Sequence, residues 1–232
     1  NIYGLGDDRR VRGTSEEVLG RVLKTRRDEV IVTTKVHSPV AEGPNDRGAS
    51  RYAVMREMDR SLKRLQTDHV DIYLLHAYPE SSPLEETLRA LDDLVTQGKV
   101  RYVGYSGDDE DALQAISMGV FDALQVTFNI VNQGALDQVL PAAERAGMGV
   151  VAKRPIANAR LLPPDSPQYH DGPHWDPVRE LLIDEGAWDD PLECALRFTL
   201  SHPVINSAII GTTDPRHARE NARRAGAGAL SP

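Results

Sequence analysis

The sequence predicts an α/β fold whose parallel strands close into a (β/α)8 barrel. Three observations predict it. Six short apolar runs rich in β-branched residues alternate with segments of helical period. Their spacing, roughly 25–50 residues, fits βα units throughout the chain. No strand is followed by the G-x-G-x-x-G turn of a doubly wound dinucleotide-binding sheet, and Tyr3-Gly4-Leu5-Gly6 precedes the first strand.

The strands expected are Val30–Val36, Val70–Ala77, Val100–Ser106, Ala123–Asn129, Gly149–Pro155 and Ala208–Thr212. Helical stripes recur at Met55, Met58, Leu62 and Leu65, and at Leu84, Leu88, Leu91 and Val95. Thr14-Ser15-Glu16-Glu17 and Ser82-Pro83-Leu84-Glu85 read as capping boxes, the second with Pro at the first helical position. Asp214-Pro215 repeats the cap-then-proline order. No composition shift marks a linker, so residues 1–232 are expected to form one domain. The proline-rich stretch Ala157–Pro177 reads as a lid or a meandering surface segment.

Composition narrows the function. A chain of 232 residues with 40% hydrophobic residues can build a packed core. Its net charge of −8 argues against a nucleic-acid surface. The single cysteine, Cys194, excludes a disulfide framework and a cysteine-based zinc site, and its apolar neighbours place it in the core. No apolar run approaches the ~20 residues of a membrane helix, and no signal peptide opens the chain, so a cytoplasmic protein is expected. No feature of the sequence sets an oligomeric state.

In such barrels function gathers where strands end. Lys35 closes the first strand, His76 the second and Ser106 the third; Gln125 lies in the fourth, and Lys153 and Arg154 close the fifth. Gly211, Thr212 and Thr213 follow the sixth. Asp71 opens its strand and belongs to the stability face. Taken singly, Lys35 reads as a solvent-reaching lysine and His76 as a hydrogen-bonded core histidine. With five Lys against 22 Arg, a Lys at a strand end is more informative than usual.

Together these segments resemble the aldo-keto reductase family. The resemblance rests on Tyr3-Gly4, Ser15–Gly20, Thr33-Thr34-Lys35, Ser61–His76, Gly98–Ser106, Ile209–Thr213 and Glu220-Asn221, in the family's order. It implies a (β/α)8 barrel that binds a nicotinamide cofactor and reduces aldehydes and ketones. Tyr3, Lys35 and His76 match three positions of the family's Asp-Tyr-Lys-His tetrad. The chemistry is coherent, because hydride delivered to a carbonyl carbon builds negative charge on oxygen, which needs a proton donor beside it. A tyrosine with pKa about 10 donates poorly near neutrality, and a nearby ammonium lowers that value. Tyr3 is therefore expected as general acid, Lys35 as its tuner and His76 as the group orienting the carbonyl.

The resemblance also implies cofactor contacts. Ser106 and Gln125 match residues that hold the carboxamide. The residue after the serine, usually Asn in the family, is Gly107 here. Where the family often places a stacking aromatic, this chain has Lys153 and Arg154, either stacking through the guanidinium or contacting cofactor phosphate. Gly211, Thr212 and Thr213 resemble the adenosine-phosphate loop, leading into a helix N-terminus that favours an anion. Gly211 and His217 stand at positions that are basic in relatives binding the 2′-phosphate, Arg216 and Arg219 lie close by, and Asn221 matches the adenine contact. NADP(H) is expected over NAD(H), with a small carbonyl compound as substrate.

His170-x-x-x-His174 with Asp171 has a metal-compatible spacing but lies in an irregular loop, and no metal is expected. Asp108-Asp109-Glu110-Asp111 reads as a solvated helix start. Tyr78, Tyr169 and Trp175 read as pocket aromatics or surface residues. Two rival functions stay open: a barrel lyase or isomerase holding a substrate phosphate at Gly211-Thr212, or a non-enzymatic homologue that binds cofactor as a sensor or accessory subunit. Two strands and the tetrad Asp are expected ahead of residue 1, about 40 residues of a complete barrel.

Overall fold

The computed structural model of the protein describes residues 12–41, 43, 45–78, 83–159 and 189–230. It divides into two compact units, Asn1–Gly107 with Gln114–Ala123, and Asp108–Leu113 with Leu124–Pro232.

The first unit holds α1 (Thr14–Leu23), β1 (Thr33–Val36), α2 (Arg51–Leu65), β2 (Val70–Leu75), α3 (Leu84–Thr96) and β3 (Val100–Ser106). α4 (Asp109–Ser117) and β4 (Ala123–Thr127) are shared between the units. β1, β2 and β3 pair in parallel and in chain order, with Lys35 opposite Leu74, Leu74 opposite Gly104, and Leu75 opposite Tyr105. α2 buries Val54, Met58, Leu62 and Leu65, and Ser50 caps it by accepting from the Ala53 N–H.

In three places local chemistry departs from the sequence expectation. Thr14-Ser15-Glu16-Glu17 does not form a capping box: Gly13, at φ 85°, is the N-cap, and no side chain caps the helix. The Glu16 carboxylate turns inward instead, accepting from Thr34 Oγ1 and from Arg64 Nε at 2.6 Å. α3 begins after Pro83 as N-cap rather than with Pro at its first position, and Ser82 lies outside the described residues. Its buried face is Thr87, Ala90, Leu91 and Leu94, rotated from the expected stripe. Thr87 fixes that rotation by donating to the Ala49 carbonyl at 2.7 Å.

The second unit contains α5 (Val139–Arg145), β5 (Gly149–Lys153), α6 (Pro191–Ser201), β6 (Ser207–Ile209) and α7 (Pro215–Gly226). β5 and β6 are parallel, with Lys153 opposite Ile209, and the Phe128 N–H donates to the Lys153 carbonyl, carrying the β4–β5 pairing one residue past β4. Asp190 and Asp214 cap α6 and α7, each followed by proline at the first helical position. Cys194 packs with Ala157, Ala195, Ile130 and Val131, and burial pushes its thiol pKa up.

β3 spans its apolar run, Val100–Ser106, whereas the other strands are shorter than theirs. Val30 and Ile31 are exposed and precede β1, because Val32 gives its N–H to the Asp71 carboxylate at 2.8 Å. β5 stops at Lys153 because Arg154 adopts φ +58°, which no strand residue takes. β4 ends where Asn129 and Asn132 close a tight turn. β2 stops at Leu75, and β6 is Ser207–Ile209 rather than Ala208–Thr212.

Candidate active site

Strand parity selects the side chains that share a face. In the first unit Thr34 donates to Glu16 of α1, and Tyr73 donates to the Val54 carbonyl of α2, so their parity faces the helices. Lys35, Leu74 and Gly104 form the opposite parity in one row. His76 and Ser106 lie one row further toward the C-terminal strand ends, with the His76 N–H donating to the Val36 carbonyl at 3.0 Å. Lys35, His76 and Ser106 thus stand on one face of three consecutive strands. Lys35 and Ser106 are buried, and His76 is half-buried. Gly104 has no room for a side chain: a Cβ there would lie 2.6 Å from both Leu74 Cδ2 and the Ala123 carbonyl oxygen.

The loop after β1 returns to the sheet. His37, at φ 118°, accepts from the Gly48 N–H at 2.6 Å, and the Val40 N–H donates to the Asp46 carbonyl at 2.8 Å. The buried Asp46 carboxylate accepts from Arg60 at 2.8 Å, Arg56 at 3.2 Å and the Gly43 N–H at 3.0 Å. Ser38 Oγ lies 3.4 Å from His76 Nδ1. Tyr78 accepts from Gln114 Nε2 at 3.0 Å, which fixes its hydroxyl.

In the second unit Gln125, Thr127 and Lys153 share a parity, and Gln125 is buried. Asp108 overturns its expected role as a solvated helix residue. It precedes α4, and its carboxylate accepts from the Thr127 N–H at 2.7 Å and the Thr127 hydroxyl at 3.1 Å, and pairs with Lys153 Nζ at 3.0 Å. Nothing in its run of acids distinguished it. The available signal was its place directly beyond a strand end, with a lysine at the end of β5. Arg154 is exposed, its carbonyl accepting from Asn129 Nδ2 at 3.0 Å.

Gly211, Thr212 and Thr213 are exposed and lead into α7. Asp214 accepts from the Arg216 N–H at 2.8 Å and from its guanidinium at 2.7–3.2 Å; these bonds hold its carboxyl down to about 2. His217 Nε2 lies 3.9 Å from the same carboxylate. Asn221 is buried, accepts from Arg224 at 3.0 Å, and lines a groove of about 420 Å³ with Leu196, Asn206, Ala208 and Thr212. Tyr3, Tyr169, Trp175, His170, Asp171 and His174 lie outside the described residues, as does most of Ala157–Pro177. Among the described residues no group of three or more His, Cys, Asp or Glu is gathered to hold a metal, and no helix is long and apolar enough to cross a membrane.

The chain is similar to known proteins. Residues 1–231 match the Aldo/keto reductase family. An uncharacterized oxidoreductase of Bacillus subtilis, YrpG, is 30% identical over 247 residues, covering 95% of this chain and 74% of that protein. The L-glyceraldehyde 3-phosphate reductase of Escherichia coli O157:H7 is 31% identical over 244 residues, covering 90% of this chain and 70% of the relative. The holo form of aldo-keto reductase AKR11C1 from Bacillus halodurans superposes with a TM-score of 0.77 at 26% identity, over 93% of this chain and 73% of that one. The six parallel βα strands are thus strands of the expected (β/α)8 barrel fold. The chain belongs to the aldo-keto reductase family.

Proposed function

We propose that the protein reduces aldehyde or ketone carbonyls to alcohols with a nicotinamide cofactor, Tyr3 acting as general acid, Lys35 as its tuner and His76 as the residue that orients the carbonyl. The observation that carries this reading is the placement of Lys35, His76 and Ser106 on one sheet face at successive strand ends. A buried ammonium on that face favours the phenolate form of a neighbouring tyrosine and so eases proton donation. An imidazole one row nearer the strand ends offers a nitrogen to the carbonyl oxygen of the substrate.

The residues fit a nicotinamide dinucleotide by the chemistry of their donors. The Ser106 hydroxyl and the Gln125 amide, both buried, suit the carboxamide; Thr212, Thr213, His217 and Asn221 suit the adenosine end; Gly211 leaves room for it. When bound, the cofactor supplies the hydride. Lys153 and Arg154 complete the proposed contacts, Lys153 presenting an ammonium already held by Asp108. NADP(H) is favoured over NAD(H) because Arg216, His217 and Arg219 cluster at the start of α7.

Replacement of Tyr3 by Phe tests the reading. Aldehyde-dependent NADPH oxidation is expected to fall by at least 10²-fold, the ordinary worth of a positioned acid, while NADPH fluorescence titration stays within about twofold. Turnover at the wild-type rate refutes it. The aldehyde panel includes a phosphorylated triose, given the activity for which the Escherichia coli relative is named. No cofactor binding at all favours the phosphate-binding barrel; binding without turnover of any carbonyl favours a sensor or accessory subunit.

A further inference from the structure

We propose that Ser38 is a positioning residue for His76, holding Nδ1 so that Nε2 can serve as donor or acceptor according to the direction of the reaction. The proposal rests on the reading of His76 given above. Ser38 Oγ is 3.4 Å from His76 Nδ1, and both side chains are half-buried. Ser38 reaches that place through a loop held by several constraints. His37 is at φ 118°, an unfavourable conformation for a residue with a Cβ, which persists only where the surroundings impose it. Gly48 imposes it through its 2.6 Å bond to the His37 carbonyl. The loop's far end is tied to α2 through Asp46, Arg56 and Arg60.

The choice of serine has a chemical consequence. A neutral imidazole carries one N–H and one bare nitrogen, and whichever partner meets Nδ1 decides what Nε2 offers. A carboxylate or carbonyl at Nδ1 would only accept, so Nε2 would always be bare in the neutral ring. A hydroxyl both donates and accepts. When Ser38 donates to Nδ1, Nε2 carries the proton and can donate to a carbonyl oxygen. When the hydroxyl rotates and accepts from Nδ1, Nε2 can accept from an alcohol. Ser38 therefore fits a site that takes carbonyl in one direction and alcohol in the other.

The test uses the full chain with 15N-labelled histidine, the His76 signals being identified by their loss in His76→Gln. Ser38→Ala is expected to change the His76 Nδ1 and Nε2 shifts, and with them the tautomer ratio. It is expected to lower kcat for aldehyde reduction about five- to tenfold, the effect of one ordinary hydrogen bond. The KM for cofactor should stay within about twofold, and Ser38→Thr should restore both signals and rate. Unchanged imidazole signals in Ser38→Ala overturn the proposal, as does a changed tautomer ratio with unchanged kcat. If His76→Gln itself leaves carbonyl reduction intact, the reading of the site fails whatever Ser38 does to the imidazole. If His76→Gln abolishes reduction while Ser38→Ala alters neither signals nor rate, the Ser38 assignment alone fails.

Discussion

Replacing Asp108 with Ala removes three partners from one carboxylate: the Thr127 N–H, the Thr127 hydroxyl and the Lys153 ammonium. The backbone donor dominates the cost, because Thr127 is buried and its N–H would lose a 2.7 Å bond. Leaving such a donor unsatisfied costs about 1–3 kcal/mol. The ion pair adds little, about 0–1 kcal/mol, since the Lys153 and Asp108 side chains remain 21% and 35% exposed. The sum is about 1–4 kcal/mol. In a chain of this size that lowers Tm by about 2–16 °C. Asp108→Asn separates the contributions, because its amide oxygen can still accept from Thr127 while the charge is gone, and it should cost about 1 kcal/mol or less. Urea unfolding followed by far-UV circular dichroism gives both numbers. A loss under about 0.5 kcal/mol for Asp108→Ala refutes the argument, and equal losses for the two variants show that charge rather than hydrogen bonding governs the site.

Two further outcomes follow from geometry. Burial pushes the Asp71 carboxyl up, but its bond from the Val32 N–H and the Arg27 and Arg101 cations outweigh this and hold it below the usual range. The native state then binds fewer protons than the unfolded chain. The stabilisation is therefore complete above the unfolded value of about 3.9 and fades as pH falls through the native value. Asp71→Asn should cost about 2–4 kcal/mol at neutral pH and flatten the loss of stability on acidification; urea midpoints that depend on pH as in the wild type would contradict this. At Gly211 an added Cβ meets no atom within 4 Å. Gly211→Arg should raise NADPH affinity relative to NADH by about tenfold through a charge-assisted contact, read by calorimetric titration, and an unchanged ratio would contradict the place beside the 2′-phosphate proposed for Gly211.

The parallel αβ alternation was legible because buried strands read as apolar runs whatever their neighbours. Strand ends were less so, since they depend on single backbone events such as the φ +58° of Arg154 or the Val32 N–H taken by Asp71. The capping box at Thr14 failed for a long-range reason: Glu16 meets Thr34 and Arg64, 18 and 48 residues away, and local spacing carries no trace of either. Lys35, His76 and Ser106 were readable because a strand end is a local property and the sheet register does the rest. Ser38 was not, because its approach to His76 depends on how the loop folds back through Gly48 and Asp46.

Gly107 and Asp108 show how packing redistributes polarity after β3. A Cβ at Gly107 would collide with Tyr105 Cε1. That ring cannot move aside cheaply, because it is buried and packs on Phe121 with centroids 5.9 Å apart. An Asn at 107 would therefore have no space unless Tyr105 were repacked. The next residue supplies the polar side chain instead, but as an acid whose oxygens are committed to Thr127 and Lys153. An amide at 107 would have offered both donor and acceptor, whereas the carboxylate at 108 only accepts and needs a cation beside it. Lysine at the end of β5 answers that need: an aromatic side chain there would leave the acid without a counter-charge, and Lys153 without Asp108 would present an unbalanced ammonium at the same strand ends. Gly107 is thus set by the space that Tyr105 occupies, while Asp108 and Lys153 answer one another.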